Sequence, residues 1–122
     1  MIEDLQLAIH DENVRAGWWS DPVTGEELRG DRRFATAGWK MLLIHSEISE
    51  ACEGLRKDLM DDKLPHRPMV EVELADAIIR ILDLAGALNL DVSGAIEEKR
   101  KFNASRLDHK IENRNAVGGK KA

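Results

Sequence analysis

Four acidic residues, arranged as two pairs, carry the chemistry this 122-residue chain could perform. Glu47 and Glu50 stand three apart, and Glu73 and Asp76 repeat that spacing after twenty-two intervening residues. On a helix a three-residue step places both side chains on neighbouring positions of one face. Two such helices facing each other would gather four carboxylates, hard oxygen donors that suit Mg²⁺, Mn²⁺ or Ca²⁺ rather than zinc. None of His10, His45, His66 or His109 has a Glu three residues before it, so the Glu-x-x-His pairs of a di-iron bundle are missing. Mg²⁺ keeps several waters and commonly meets phosphate, which directs the reading toward phosphoryl chemistry. The bland alternative is a solvated helix face, because Glu is a good helix former and surface pairs at this spacing are common. Against it, Glu47 and Glu73 both adjoin apolar positions, where like charges on facing helices would repel without a cation.

A second group could meet a polyphosphate. Lys99, Asn103 and Arg106 recur at i, i+4 and i+7, so the spacing predicts one shared helix face. A cation, an amide and a guanidinium on one stripe can neutralise and orient phosphates. The plain reading is a water-facing basic flank, although Asn is a mediocre helix former. Lys57 could join them or stand as a surface charge. For a base, Trp18 and Trp19 beside a long loop could stack, as aromatic rings do, and His10 could bond a base edge. Packing against a helix or subunit competes for both tryptophans. Trp39 is expected in the core, Asp83 is expected to be structural, and Glu53 and Glu71 are expected to be solvated.

Positioning these groups requires helices. Leu43, Ile44, Ile48, Ala51, Cys52 and Leu55 recur at helical steps, with Glu47 and Glu50 on the flank. Leu74, Ile78, Ile81 and Ala85 repeat the pattern, and Val72, Ala75 and Ile79 form a second stripe on the same segment. A helix apolar on two sides is central in a bundle or lies at a subunit contact. The periodicity predicts helices over residues 2–16, from about 34–36 to 58, over 69–88, and from a cap at Asp91 or Ser93 through Ile96, Phe102 and Leu107. Residues 20–33 and 60–68 carry Asp-Pro, Thr-Gly and Pro signals of loops. No segment alternates as a strand does. The expected class is all-α, a bundle of four to five helices over residues 1–113, followed by a disordered tail over 114–122.

The bulk composition excludes several functions. Apolar residues make up 43% and charged residues 34%, enough for one modest core. A net charge of −5 argues against nucleic acid polymers as partners. The single cysteine, Cys52, rules out an internal disulfide and is expected as a buried, inert thiol. No apolar run approaches the roughly 20 residues that span a bilayer, so no membrane role is expected. The acidic N-terminus does not read as a signal peptide, and a cytoplasmic location is expected.

The paired motif, its continuation through LIHSEISEACEGLRKDLMDDKLPHRPMVEVELADAIIRILDLAG, the Lys-x-x-x-Asn-x-x-Arg run and GWWSDPVTGE together resemble the all-α nucleoside triphosphate pyrophosphohydrolases, within them the MazG-like branch. The likeness extends over about residues 10–109. It implies Mg²⁺-dependent hydrolysis of a ribo- or deoxyribonucleoside triphosphate to the monophosphate and pyrophosphate, with removal of surplus or non-canonical nucleotides as the purpose. By motif position Glu47, Glu50, Glu73 and Asp76 would hold Mg²⁺ (or Mn²⁺), and Glu50 would take a proton from the attacking water. Lys99, Asn103, Arg106 and Lys57 would carry the phosphates. The resemblance also implies a bundle completed by assembly into a homodimer or homotetramer. The competing class is a catalytically silent helical bundle that binds a nucleotide or a protein partner.

Overall fold

The computed structural model describes residues 1–106 and 110–122. Helix accounts for 66% of it and no strand occurs among the described residues, so the class is all-α. The helices are α1 (Ile2–Arg15), α2 (Gly30–Lys57), α3 (Met69–Ala87), α4 (Val92–Ser105) and α5 (Ile111–Arg114). They fall into two compact units, Met1–Leu90 and Asp91–Ala122.

In the first unit α3 packs against both α1 and α2. Partners along α2 and α3 run in opposite order: Gly54 meets Met69, Arg80 bonds Glu47, and Arg33 donates to the Ala87 carbonyl. The α1 contacts run the same way, His10 with Asp83 and Gln6 with the Leu90 carbonyl. Both neighbours are therefore antiparallel to α3. The helices meet closely because glycines sit in the seams. A Cβ added at Gly86 would stand 2.6 Å from the His10 Cβ, an atom fixed to the backbone of α1. Gly86→Ala is expected to cost about 1–3 kcal/mol through overpacking, read as a lower midpoint of denaturant unfolding.

The core centres on Trp19, 1% exposed, with Ala37 and Leu84 and with Ile44, Ala87 and Leu88 against them. The indole Nε1–H donates to both oxygens of the buried Asp83, at 2.9 and 3.1 Å. A buried carboxylate must be bonded to be tolerated. Asp83 meets that demand with Trp19 and with His10 Nδ1 at 2.9 Å, and is structural as expected.

Of the apolar stripes read in the sequence, Ala51 and Ala85 are buried, but burial around Glu47, Gly54, Glu73 and Ala77 is displaced one residue from their large aliphatics. The α2 face turned inward is Ala37, Glu47, Ala51 and Gly54; on α3 it includes Glu73, Ala77 and Leu84. One position further round, Ile48, Cys52 and Leu55 are exposed, as are Leu74, Ile78, Ile79 and Ile81. Small and charged residues thus form the seam, and large aliphatics face outward. Two expectations are corrected by this shift. Cys52 is an exposed thiol rather than a buried one, and Trp39, 71% exposed, is not core.

The connection at residues 16–29 is held by Asp21, which accepts from the Val23 and Thr24 amides and pairs with Arg32 at 2.7 Å. Those backbone bonds, followed by Arg32, hold the Asp21 carboxyl at about 2. The connection after α2 begins at Asp58, whose φ of 54° closes the helix in the left-handed region. It is closed by the Met60–Pro68 bridge and by Asp61, which is buried and accepts from the Lys63 and Leu64 amides.

Helix boundaries follow the expected ones with two exceptions: α2 begins at Gly30, four residues before the earliest expected start, and α4 ends at Ser105, with Arg106 extended rather than helical. In the second unit Asp91 caps α4 by accepting from the Gly94 amide. Leu107 and His109 lie outside the described residues. Arg114, the last residue of α5, donates to the carbonyls of Lys120 and Lys121. No helix among the described residues is long and apolar enough to cross a membrane.

Candidate metal centre

Glu47 on α2 and Glu73 and Asp76 on α3 each offer a carboxylate oxygen, and the three oxygens lie within 4.8 Å of one another. The antiparallel seam produces this. Glu47 occupies the same inward face as Ala51 and Gly54, and Glu73 the same face as Ala77. Asp76 stands three residues beyond Glu73 on the edge of that face. Glu50, one turn along from Glu47, is exposed, and its charge acts on Glu73.

The three inner carboxylates are not equivalent. Burial pushes Glu73 up to about 8, helped by a hydrogen bond with Glu47 and by the charge of Glu50. Burial also presses Glu47 upward, but bonds from Glu73 and Arg80 outweigh it and leave Glu47 below the ordinary carboxylate range. Asp76 is raised, first by burial and then by the charge of Glu47, with Arg80 opposing. A proton shared between Glu47 and Glu73, residing on Glu73, accounts for both directions. Arg80 supports the ionised partner through Nε, 2.9 Å from Glu47 Oε1. Even so, Glu73 Oε2 is buried without any hydrogen-bond partner, in a residue only 9% exposed.

These carboxylates open into a cleft of about 1150 Å³ in the first unit. Seven acidic side chains line it, against the cations Lys40, Lys63 and Arg80, so an anion entering alone would meet a net negative wall. The set fits a hard divalent cation. Its donors are all carboxylate oxygens, Glu73 carries an orphaned buried oxygen, and the group carries a proton that a cation would displace.

The other site candidates separate. Trp18 is 65% exposed and lines the cleft, whereas Trp19 is inside the core with no face free for a base. His10 bonds Asp83 beside Trp19 and does not line the cleft. Lys57 pairs with Glu53 at 2.8 Å, outside the cleft lining. Glu53, expected to be solvated, also holds Arg56, and it lines the cleft. Lys99, Asn103 and Arg106 belong to the second unit. There Lys99 and Arg106 stand over the Phe102 ring at 4.9 and 5.6 Å, and Arg106 is extended just past the end of α4, so it does not continue the helical stripe.

Three residues at the site escaped the sequence reading. Arg80 was legible as the position four beyond Asp76 and seven beyond Glu73. Asp61 carried an Asx-turn signal in Asp61-Asp62-Lys63-Leu64, but nothing in the sequence brings that turn to the cleft. Lys40 carried no signal. Comparison with family models, with curated proteins and with solved structures finds no match for this chain.

Proposed function

We propose that the cleft hydrolyses a nucleoside triphosphate to the monophosphate and pyrophosphate, with Mg²⁺ held by Glu47, Glu73 and Asp76. One observation carries the reading: a buried carboxylate oxygen, Glu73 Oε2, without a partner, in a group of three carboxylates that opens into a cleft. A core has no use for such an atom, because an unsatisfied buried polar group costs about 1–3 kcal/mol. When bound, the cation would supply neutralisation of phosphate oxygens and a lowered pKa for a bound water.

The side chains divide the remaining work. Arg80 fixes the orientation of Glu47 and keeps it ionised. Water adds to the α-phosphorus, the bond to the bridging oxygen breaks, and pyrophosphate leaves; Glu50, exposed at the cleft, accepts the proton of the water. Trp18 is the aromatic candidate with a free face and would stack on the base. Self-association belongs to the same reading, since Leu74, Ile78 and Ile81 leave an apolar face of α3 in solvent.

Pyrophosphate release from a panel of ordinary and modified triphosphates with Mg²⁺ tests the proposal. Turnover of at least one is expected, and Glu50→Gln should slow it by about 10²–10⁴-fold, the usual contribution of a positioned base. If no triphosphate is turned over with Mg²⁺ or Mn²⁺, the hydrolase reading fails and a silent nucleotide- or protein-binding bundle replaces it. A full rate for Glu50→Gln would remove Glu50 from its role while leaving the activity in place.

A further inference from the structure

Lys40 is the one half-buried lysine on the cleft. It stands on α2, with its Nζ 4.4 Å from the centroid of the Trp19 ring. It makes no side-chain hydrogen bond and no ion pair with a described residue. The other cleft cations differ: Arg80 is committed to Glu47, and Lys63 is exposed. A half-buried ammonium has three donors to satisfy, and the ring face satisfies none by hydrogen bonding.

The surroundings hold this ammonium in place without neutralising it. Trp19 is immobile in the core, and its N–H is bonded to both Asp83 oxygens. A carboxylate on the indole N–H polarises the ring and strengthens its hold on a cation over the face. His10 completes the array by fixing Asp83 from α1. Burial holds the Lys40 ammonium below the usual lysine range, Arg80 adds to that, and the charge of Asp83 opposes it. An arriving anion would relieve the desolvation that the protein leaves uncompensated.

We propose that Lys40 is the anion-binding residue of the cleft, donating to a phosphate oxygen of the substrate, and that Trp19, Asp83 and His10 are its positioning residues. The inference rests on the triphosphate reading above and deepens it. It gives the first unit a phosphate contact of its own on the same cleft as the three inner carboxylates. Loss of a charge-assisted bond of this kind weakens binding by about tenfold or more.

The test uses the full chain with Lys40→Met and Lys40→Arg. Calorimetric titration with inorganic pyrophosphate, with and without Mg²⁺, reads anion binding without turnover. Steady-state kinetics then separate KM from kcat. Lys40→Met should weaken pyrophosphate binding about tenfold and raise KM by a similar factor with a smaller change in kcat. Lys40→Arg should recover most of both. Should Lys40→Met lose cooperative unfolding, Lys40→Gln supplies the same readouts. Wild-type pyrophosphate affinity in the Met or Gln variant overturns the assignment, as does a wild-type protein that binds no pyrophosphate. Lys40-dependent pyrophosphate binding without any triphosphate turnover sinks the hydrolase reading and leaves Lys40 standing. Turnover with an unaltered KM in Lys40→Met does the reverse.

Discussion

Glu73→Gln should make the metal-free protein more stable at alkaline pH and, under the proposed function, abolish Mg²⁺-dependent triphosphate hydrolysis. The reason is the proton that Glu73 carries. With its carboxyl raised from 4.5 to about 8, the folded state binds more protons than the unfolded state between those values. Stability of the metal-free protein therefore falls as pH rises through that window, by roughly 1.4 kcal/mol per pH unit while one proton separates the two states. Between pH 6 and pH 8 the loss is about 2–3 kcal/mol. Asp76, also raised, works in the same direction. Glu47, held low, contributes stability that is lost only in acid and lies outside this window.

Gln keeps the shape and a neutral side chain at every pH, so the variant should lose most of the alkaline decline and keep only the part due to Asp76. It also lacks the anionic donor. Outer-shell metal partners typically cost 10–100-fold when mutated, and a direct ligand should cost more than that. Denaturant unfolding at pH 6 and pH 9, with and without Mg²⁺, checks the prediction. The wild type should weaken at pH 9 and regain stability with Mg²⁺, which must displace the proton to bind; Glu73→Gln should weaken far less and gain far less from Mg²⁺. A flat wild-type profile together with equal Mg²⁺ effects on both proteins would contradict it.

The second large effect belongs to Trp19. Trp19→Ala removes the largest fully buried side chain and is expected to cost about 3–5 kcal/mol. The cavity is one cause. Asp83 also loses its indole donor while still buried, and both Arg33 and Lys40 lose the ring they stand over, at 4.9 and 4.4 Å. Against the 5–15 kcal/mol of an ordinary domain, this is a large fraction of the whole. Trp18→Ala and Trp39→Ala, at exposed positions, should change stability by no more than about 0.5 kcal/mol. Unfolding midpoints of the three variants decide the matter, and near-equal losses would contradict the assignment of Trp19 as the core.

The helices themselves were legible because their period is written in Leu43–Leu55 and Leu74–Ala85, and a three-residue step between acids keeps its meaning on any helix. The direction in which those helices face was not legible. Apolar content points to Ile48, Leu55, Leu74 and Ile78 as the inward stripe. The seam is instead set by how closely backbones approach, which Gly54, Ala51, Ala77 and Gly86 permit and large aliphatics do not. That one-residue rotation carries Glu47 and Glu73 from the flank into the contact, where burial alters their protonation. The start of α2 was hidden for a related reason. Arg29-Gly30-Asp31 offers no side-chain cap, and a tertiary bond from Arg33 to Ala87 anchors the first turn. The division of Trp18 from Trp19 follows from a long-range partner, Asp83, sixty-four residues away from Trp19.

The three tryptophans occupy three different surroundings, and the chain has no tyrosine to obscure them. Trp19 is dry and bonded through its indole N–H to a carboxylate, Trp39 is in water, and Trp18 is wet at the mouth of the cleft. Their ultraviolet emission separates accordingly: a short-wavelength component that disappears when the core opens, and two long-wavelength ones quenched freely by neutral acrylamide. Only the Trp18 component should become shielded when the cleft fills. The molecule thus carries its own optical reporters of unfolding and of occupancy, distinguishable by colour and by quenching.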